Sequence, residues 1–197
     1  MATGPEPMSA HSTPELIQRL LRPDRVHTLD PFIILGLLGI NSHDTLADIG
    51  CGPGYFTIPL AKAVINGKLY ALDIDDEMLA ACRDRVAQAR LGNVEILKCD
   101  EFDFPLDPGS LDGEFMVFVV HHSADKPKLL RASRELLKPR GWCSVLEWYR
   151  KQTETGPPLD QRVDPAELES LATDAGFRSL GWRDLNGEQY MMKLRNV

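Results

Sequence analysis

Apolar residues recur along this chain first at helical spacing and then in short runs that alternate with amphipathic stretches. Thr13-Pro14-Glu15 offers a cap, a proline at the first helical position and an early acid, and Leu16, Ile17, Leu20 and Leu21 follow at helical spacing. A second helix is expected from Asp30-Pro31 to Ile40. Phe32, Ile33, Ile34, Leu35, Leu37, Leu38 and Ile40 make it apolar nearly all round, so it should be covered on more than one face. From Asp44 onward strand and helix alternate. Leu46-Ala47-Asp48-Ile49 and Lys68-Leu69-Tyr70-Ala71-Leu72-Asp73 read as strands, and a helix ending at Gly92 buries Met78, Leu79, Cys82 and Val86. Asp75, Asp76 and Glu77 crowd its first turn, where negative charge suits the helix dipole. Leu129, Leu130, Leu136 and Leu137 mark a helix between Pro127 and Pro139. Asp164-Pro165-Ala166-Glu167 announces another with an acidic cap, and Gly176 stops it. Phe177 to Leu185 and Gln189 to Leu194 read as strands joined by Asn186-Gly187, a hairpin turn. The pattern predicts an α/β, doubly wound, mostly parallel sheet that ends in an antiparallel hairpin.

Length and composition narrow the classes. A chain of 197 residues, 43% hydrophobic and 26% charged, fits one globular domain. We expect a disordered tail over 1–12 and a single domain over 13–197, with N-terminal helices at 13–43 and the core at 44–197. A net charge of −7 argues against broad phosphate-backbone binding, so nucleic acid is not an expected partner. The cysteines at 51, 82, 99 and 143 form no C-x-x-C pair and read as small buried thiols in a reducing, cytoplasmic compartment, with no metal site. The first dozen residues lack the apolar core of a signal peptide. The apolar run from Pro31 to Ile40 falls far short of the ~20 residues that a membrane span needs. Nothing in the pattern sets an oligomeric state. Residues 151–163, with Gly156-Pro157-Pro158, form a long connection expected to hang over the site.

Candidate chemistry concentrates after the first core strand. Gly50, Gly52 and Gly54 stand on alternate positions of a strand-to-helix turn, where backbone can approach a ligand closely. A dinucleotide fingerprint would need glycine at position 55, which is tyrosine. Asp48 lies just before the loop, where it would repel a pyrophosphate and suit a cationic amino-acid end. Asp73 ends the next strand and can accept both hydroxyls of a ribose diol.

Asp48 to Gly54, Leu72 to Leu79, Val94 to Phe102, Ser110 to Phe115 with His121-His122, and Leu136 to Gly141 follow one another in order. Over roughly residues 44 to 150 these motifs resemble the class I S-adenosylmethionine-dependent methyltransferases, most of all the small-molecule branch with the ubiquinone and menaquinone biosynthesis enzymes. One departure is Arg140-Gly141, where family members often carry two glycines. The resemblance implies a seven-stranded Rossmann-like sheet whose last strand runs antiparallel beside the fifth. It implies S-adenosyl-L-methionine as cofactor, with S-adenosyl-L-homocysteine as product, held by Asp48, Gly50, Cys51, Gly52, Gly54, Tyr55, Asp73, Ile74 and Met78. Asp100, Glu101 and Phe102 would serve the adenine, Phe102 and Ile74 as apolar walls, and Met116 and Val117 would offer backbone carbonyls. His122 is the candidate base. His121, Phe118, Glu147 and Tyr149 are the candidate contacts to a small-molecule acceptor, although strand alternation leaves open whether Glu147 and Tyr149 or Trp148 face it. The reading is an enzyme that transfers methyl by in-line displacement. The alternative is a silent module that binds the cofactor or its product. A nicotinamide oxidoreductase is disfavoured by Tyr55 and by the terminal hairpin.

Overall fold

Strands form where the short apolar runs fall, and they pair in a single sheet. The computed structural model describes residues 13–197, so the tail expected over 1–12 lies outside the described residues. β1 (Thr45–Ile49), β2 (Lys68–Asp73), β3 (Val94–Lys98), β4 (Leu111–Val117), β5 (Leu137–Trp148), β6 (Phe177–Asp184) and β7 (Gln189–Asn196) make a seven-stranded sheet in the order β3-β2-β1-β4-β5-β7-β6. β1 to β5 are parallel, and β7 runs antiparallel between β5 and the edge strand β6. This is the Rossmann-like, doubly wound arrangement of the resembled family, hairpin included.

Successive strand residues point to opposite faces, and both faces are covered. Phe115, Leu146 and Met191 pack with Leu46 and Leu60 on one side. Their neighbours Met116, Val145 and Met192 pack with Ile49, Leu130 and Tyr190 on the other. α1 (Thr13–Leu20), α2 (Pro31–Leu38), α3 (Thr57–Ala63), α4 (Asp76–Gln88), α5 (Lys126–Leu136) and α6 (Pro165–Asp174) provide the covering layers, with short 3-10 turns at Pro23–His27 and Val120–His122.

Most helix ends obey their local chemistry. Asp30 accepts from Phe32 N–H at 2.9 Å, Asp75 from Glu77 and Met78, and Asp125 from Lys128. Three expectations change. The helix after β2 ends at Gln88, and Arg90 rather than Gly92 takes the left-handed turn, with φ 54°. Asp164 makes no capping bond, because its carboxyl accepts Arg150 N–H instead. α2 is not enclosed: Pro31, Ile34 and Leu38 are buried while Phe32 and Ile33 remain 73% and 66% exposed. One face of α2 suffices to anchor it, helped by Lys193 donating to the carbonyls of Leu37 and Leu38. Arg140, at the site of the missing glycine, adopts φ 67°, a conformation glycine takes without strain. No helix among the described residues is long and apolar enough to cross a membrane.

Candidate active site

The parallel strands end together, and the loops that follow them enclose a cleft of about 1050 Å³. Ligands in open α/β sheets lie at this edge, where neighbouring connections leave in opposite directions. The floor is the glycine loop. Gly50 and Cys51 N–H groups both bond Leu72 O, which ties the loop to β2. Gly50 sits at φ 69°, and a Cβ there would lie 2.4 Å from Val119 Cγ2. Only glycine lets the loops after β1 and β4 approach this closely.

Asp48 and Asp73 flank the loop. Asp48 is 2% exposed and accepts one bond, from Thr57 Oγ1 at 2.6 Å. Burial, only partly offset by that hydroxyl, pushes its carboxyl up to about 7. Asp73 accepts Gly52 N–H at 2.7 Å and Asp75 N–H at 3.0 Å, so the second acid itself shapes the loop. Burial raises its carboxyl against the pull of those backbone bonds. No lysine or arginine among the described residues pairs with either acid.

Asp48, Gly50, Cys51, Gly52, Tyr55, Asp73, Ile74, Met78, Asp100, Glu101, Val117, Phe118, His121 and His122 all line the cleft. Glu101 also accepts from Ser123 Oγ and Ala124 N–H, both at 2.7 Å, and so joins the loop after β3 to the one after β4. Tyr55 donates its hydroxyl to Leu29 O and carries the Arg25 guanidinium over its ring at 4.3 Å. Through these contacts the N-terminal segment closes one side.

Five expected residues lie off the cleft wall. Gly54 turns the chain at φ 85° and packs on Cys82, where a Cβ would meet the sulfur at 3.0 Å. Phe102 turns to the core beneath Lys128, and Phe104 takes the wall position. Met116 is fully buried in the core, since the alternation of β4 points it away. Glu147 is fully buried behind His121. Tyr149 packs on Trp182 and Tyr190, and Trp148 is the face of β5 that reaches the cleft.

At the end of the cleft where the acceptor contacts were expected, Phe118 and Trp148 stack with ring centroids 5.4 Å apart and planes 29° from parallel. Phe118 holds φ 61°, an uncommon conformation for a bulky residue. Glu154, Thr155, Gly156 and Pro157 wall the cleft beyond Trp148, as the long connection suggested. Arg162 fastens that loop. It is 3% exposed and donates to the carbonyls of Tyr149, Lys151, Thr155 and Pro157 and to Thr153 Oγ1. Its guanidinium also lies 5.1 Å from the Trp148 ring. Sequence reasoning missed Arg162, and nothing local in the chain marks it. His122 is exposed along the cleft, yet loss of solvent on its inner side and the neighbouring His121 lower its imidazole to about 4. No group of three or more His, Cys, Asp or Glu residues among those described could hold a metal ion.

Comparison with known proteins agrees with this geometry. The family model described as a methyltransferase domain matches residues 47–145. An uncharacterized 37.1 kDa protein in transposon TN4556 of Streptomyces fradiae is 31% identical over 85% of this chain and 57% of its own length. A ubiquinone/menaquinone biosynthesis C-methyltransferase of Marinomonas sp. is 30% identical over 70% of this chain and 57% of its own length. The chain thus spans little more than half of the curated relatives it matches. Among solved structures, a SAM-dependent methyltransferase from Aquifex aeolicus superposes with a TM-score of 0.89 at 29% identity, covering 93% of this chain and 98% of that one.

Proposed function

Since this chain belongs to the class I S-adenosylmethionine-dependent methyltransferase family, we propose that it transfers a methyl group from S-adenosylmethionine to a small, flat, apolar acceptor. The observation that carries the reading is a pair of strand-end carboxyls, Asp48 and Asp73, flanking a glycine loop without a cationic side chain against either. Such a site repels phosphate and suits a ligand with an ammonium and a ribose diol. When bound, S-adenosylmethionine supplies a methyl group already activated by its sulfonium charge. The chain's own residues then have to bind, align and exclude water.

Asp48 would face the amino-acid end, and Asp73 would accept from the ribose while keeping its bonds to Gly52 and Asp75 N–H. Asp100 would accept from the adenine amino group, with Ile74 and Phe104 as walls for the ring. The acceptor would lie between Phe118, Trp148 and the 154–157 loop, whose aromatic lining favours a flat molecule. The Marinomonas relative, named for ubiquinone and menaquinone biosynthesis, supports such an acceptor. The net charge of −7 supports a small molecule over nucleic acid, and four buried free cysteines support a cytosolic setting.

Calorimetric titration with S-adenosylhomocysteine, with NAD as control, tests the cofactor. We expect micromolar binding of the first alone. Asp73→Ala should weaken it about 10- to 150-fold, the ~1.5–3 kcal/mol of a hydrogen bond to a charged group. Unchanged affinity in that variant would remove Asp73 from the site. Release of S-adenosylhomocysteine in the presence of a panel of phenols, quinols and amines then tests transfer itself.

A further inference from the structure

Two adjacent histidines border the acceptor end, and only one of them is held. His121 lies 5% exposed on the 3-10 turn after β4, with Glu147 fully buried behind it on β5. Glu147 Oε1 accepts His121 N–H at 3.1 Å, and Oε2 lies 2.7 Å from His121 Nδ1 and 3.4 Å from Trp148 N–H. A carboxylate cannot donate, so Nδ1 carries the hydrogen and Nε2 keeps its lone pair. Nε2 is buried without a hydrogen-bond partner among the described residues, on a ring that lines the cleft. A buried acceptor left without a donor is costly, and such an atom in a native fold calls for a donor, which on a cleft wall a ligand or a water can supply. His122 has its ring centroid 4.0 Å away and lies open along the cleft, with no hydrogen bond to fix its ring among the described residues.

We propose that His121 is the proton acceptor of the reaction and Glu147 its positioning residue, so that the acceptor molecule arrives with an O–H or N–H at the reacting atom. The inference rests on the methyl-transfer reading for the proton it moves, while the dyad itself stands on geometry. In the step, the X–H bond of the acceptor breaks, its electron pair stays on X, and the proton forms a bond to His121 Nε2. X then has the free pair with which to accept a methyl group. The imidazolium is neutralised by Glu147 through Nδ1–H, the arrangement by which a buried carboxylate orients a catalytic histidine elsewhere. The proton leaves to solvent along the His122 side. A neutral amine, whose nitrogen already has a free pair, or a thiolate would need no such group, so the N–H meant is one whose pair is delocalised, as in an azole or an amide.

Long-range 1H–15N spectra of the full chain test the assignment, with His121 identified by its loss in His121→Gln. We expect the Nδ1–H tautomer with a bare Nε2; an Nε2–H tautomer would overturn the proposal. In Glu147→Gln the carboxamide can donate to Nδ1 as well as accept from it, so the Nδ1–H tautomer should lose its dominance, while S-adenosylhomocysteine affinity stays within twofold. An unchanged tautomer would remove Glu147 as positioning residue. Glu147 and His122 are the groups packed on the ring, so His122→Ala, which leaves the carboxylate in place, should keep the Nδ1–H tautomer. Should Glu147→Gln not fold, Glu147→Asp retracts the carboxylate by one methylene and should mix the two tautomers. Failure of the wild type to bind S-adenosylhomocysteine would sink the methyl-transfer reading, and the spectra would still decide whether the dyad exists.

Discussion

Asp48 and Glu147 are both withdrawn from solvent near the cleft, 2% and 0% exposed, yet they are treated in opposite ways. Asp48 has a single hydroxyl donor, from Thr57 nine residues later. Glu147 faces the N–H groups of His121, backbone and ring, and that of Trp148. The first carboxyl is left short of partners and the second is consumed internally. Under the proposed reading the Asp48 end is completed by the charge of its ligand, whereas the Glu147 end is completed by the protein and left with one unpartnered nitrogen, His121 Nε2. On the proposed function, the difference teaches where each end would get its specificity: charge at the first, and proton chemistry and shape at the second.

The largest effect should come from titrating the under-satisfied acid. Burial raises the Asp48 carboxyl from its ordinary 3.8 to about 7, so folding favours its protonated form. Between those values the folded chain binds more protons than the unfolded one, and stability falls as pH rises from about 4 to about 7, then levels. The linkage amounts to about 4 kcal/mol across that window. Asp48→Asn should flatten it in urea unfolding measured at pH 5, 6, 7 and 8, and leave a protein more stable than the wild type at pH 8. Glu114, fully buried beside Ser133 and Cys143 and likewise pushed up to about 7, supplies the control. Glu114→Gln should flatten a similar part of the slope. S-adenosylhomocysteine should stabilise the wild type more at pH 8 than at pH 5, and only Asp48→Asn should abolish that difference.

Gly50→Ala should act on both ends at once. Its φ of 69° and the 2.4 Å approach of an added Cβ to Val119 Cγ2 combine backbone strain with overpacking. Together these cost about 3–4 kcal/mol. Thermal unfolding and S-adenosylhomocysteine titration should both register the loss. Gly50→Ala with Val119→Ala should recover the packing part and leave the strain; no recovery would mean that the two loops do not define each other.

The cofactor end was legible because its parts are close in the chain and its register is regular. Gly52 and Asp73 meet through the parallel pairing of β1 with β2, which the strand-turn-helix pattern already implied. The acceptor end was harder for physical reasons. Alternation along β5 separates Trp148 from Tyr149 but cannot say which faces the cleft; the pairing of Trp148 with Gln189 on β7 and the Arg162 contact decide it. His121 and His122 are adjacent in sequence, and their roles diverge because Glu147, 26 residues away, engages only the first. Phe102 and Phe104 exchange places because the segment after β3 is irregular and parity fails there. In α2 an all-apolar pattern overstated enclosure, since hydrophobicity drives burial but does not require it.

Arg162→Ala should give the smallest effect and the sharpest separation of the two ends. Its donors reach four carbonyls and one hydroxyl of the 149–157 segment, so its loss frees a whole wall of the acceptor end. Two of those carbonyls, of Lys151 and Thr155, lie on exposed loop residues, where water can replace the guanidinium. The cost is therefore about 2–3 kcal/mol rather than the sum of the bonds. Hydrogen exchange should rise across residues 149–157 and remain unchanged over Gly50, Gly52 and Asp73. S-adenosylhomocysteine affinity should hold within twofold, because no Arg162 bond reaches the glycine loop. A parallel loss of cofactor affinity would show that the wall and the floor open as one unit, and the contrast between self-completed and ligand-completed ends would have to be given up.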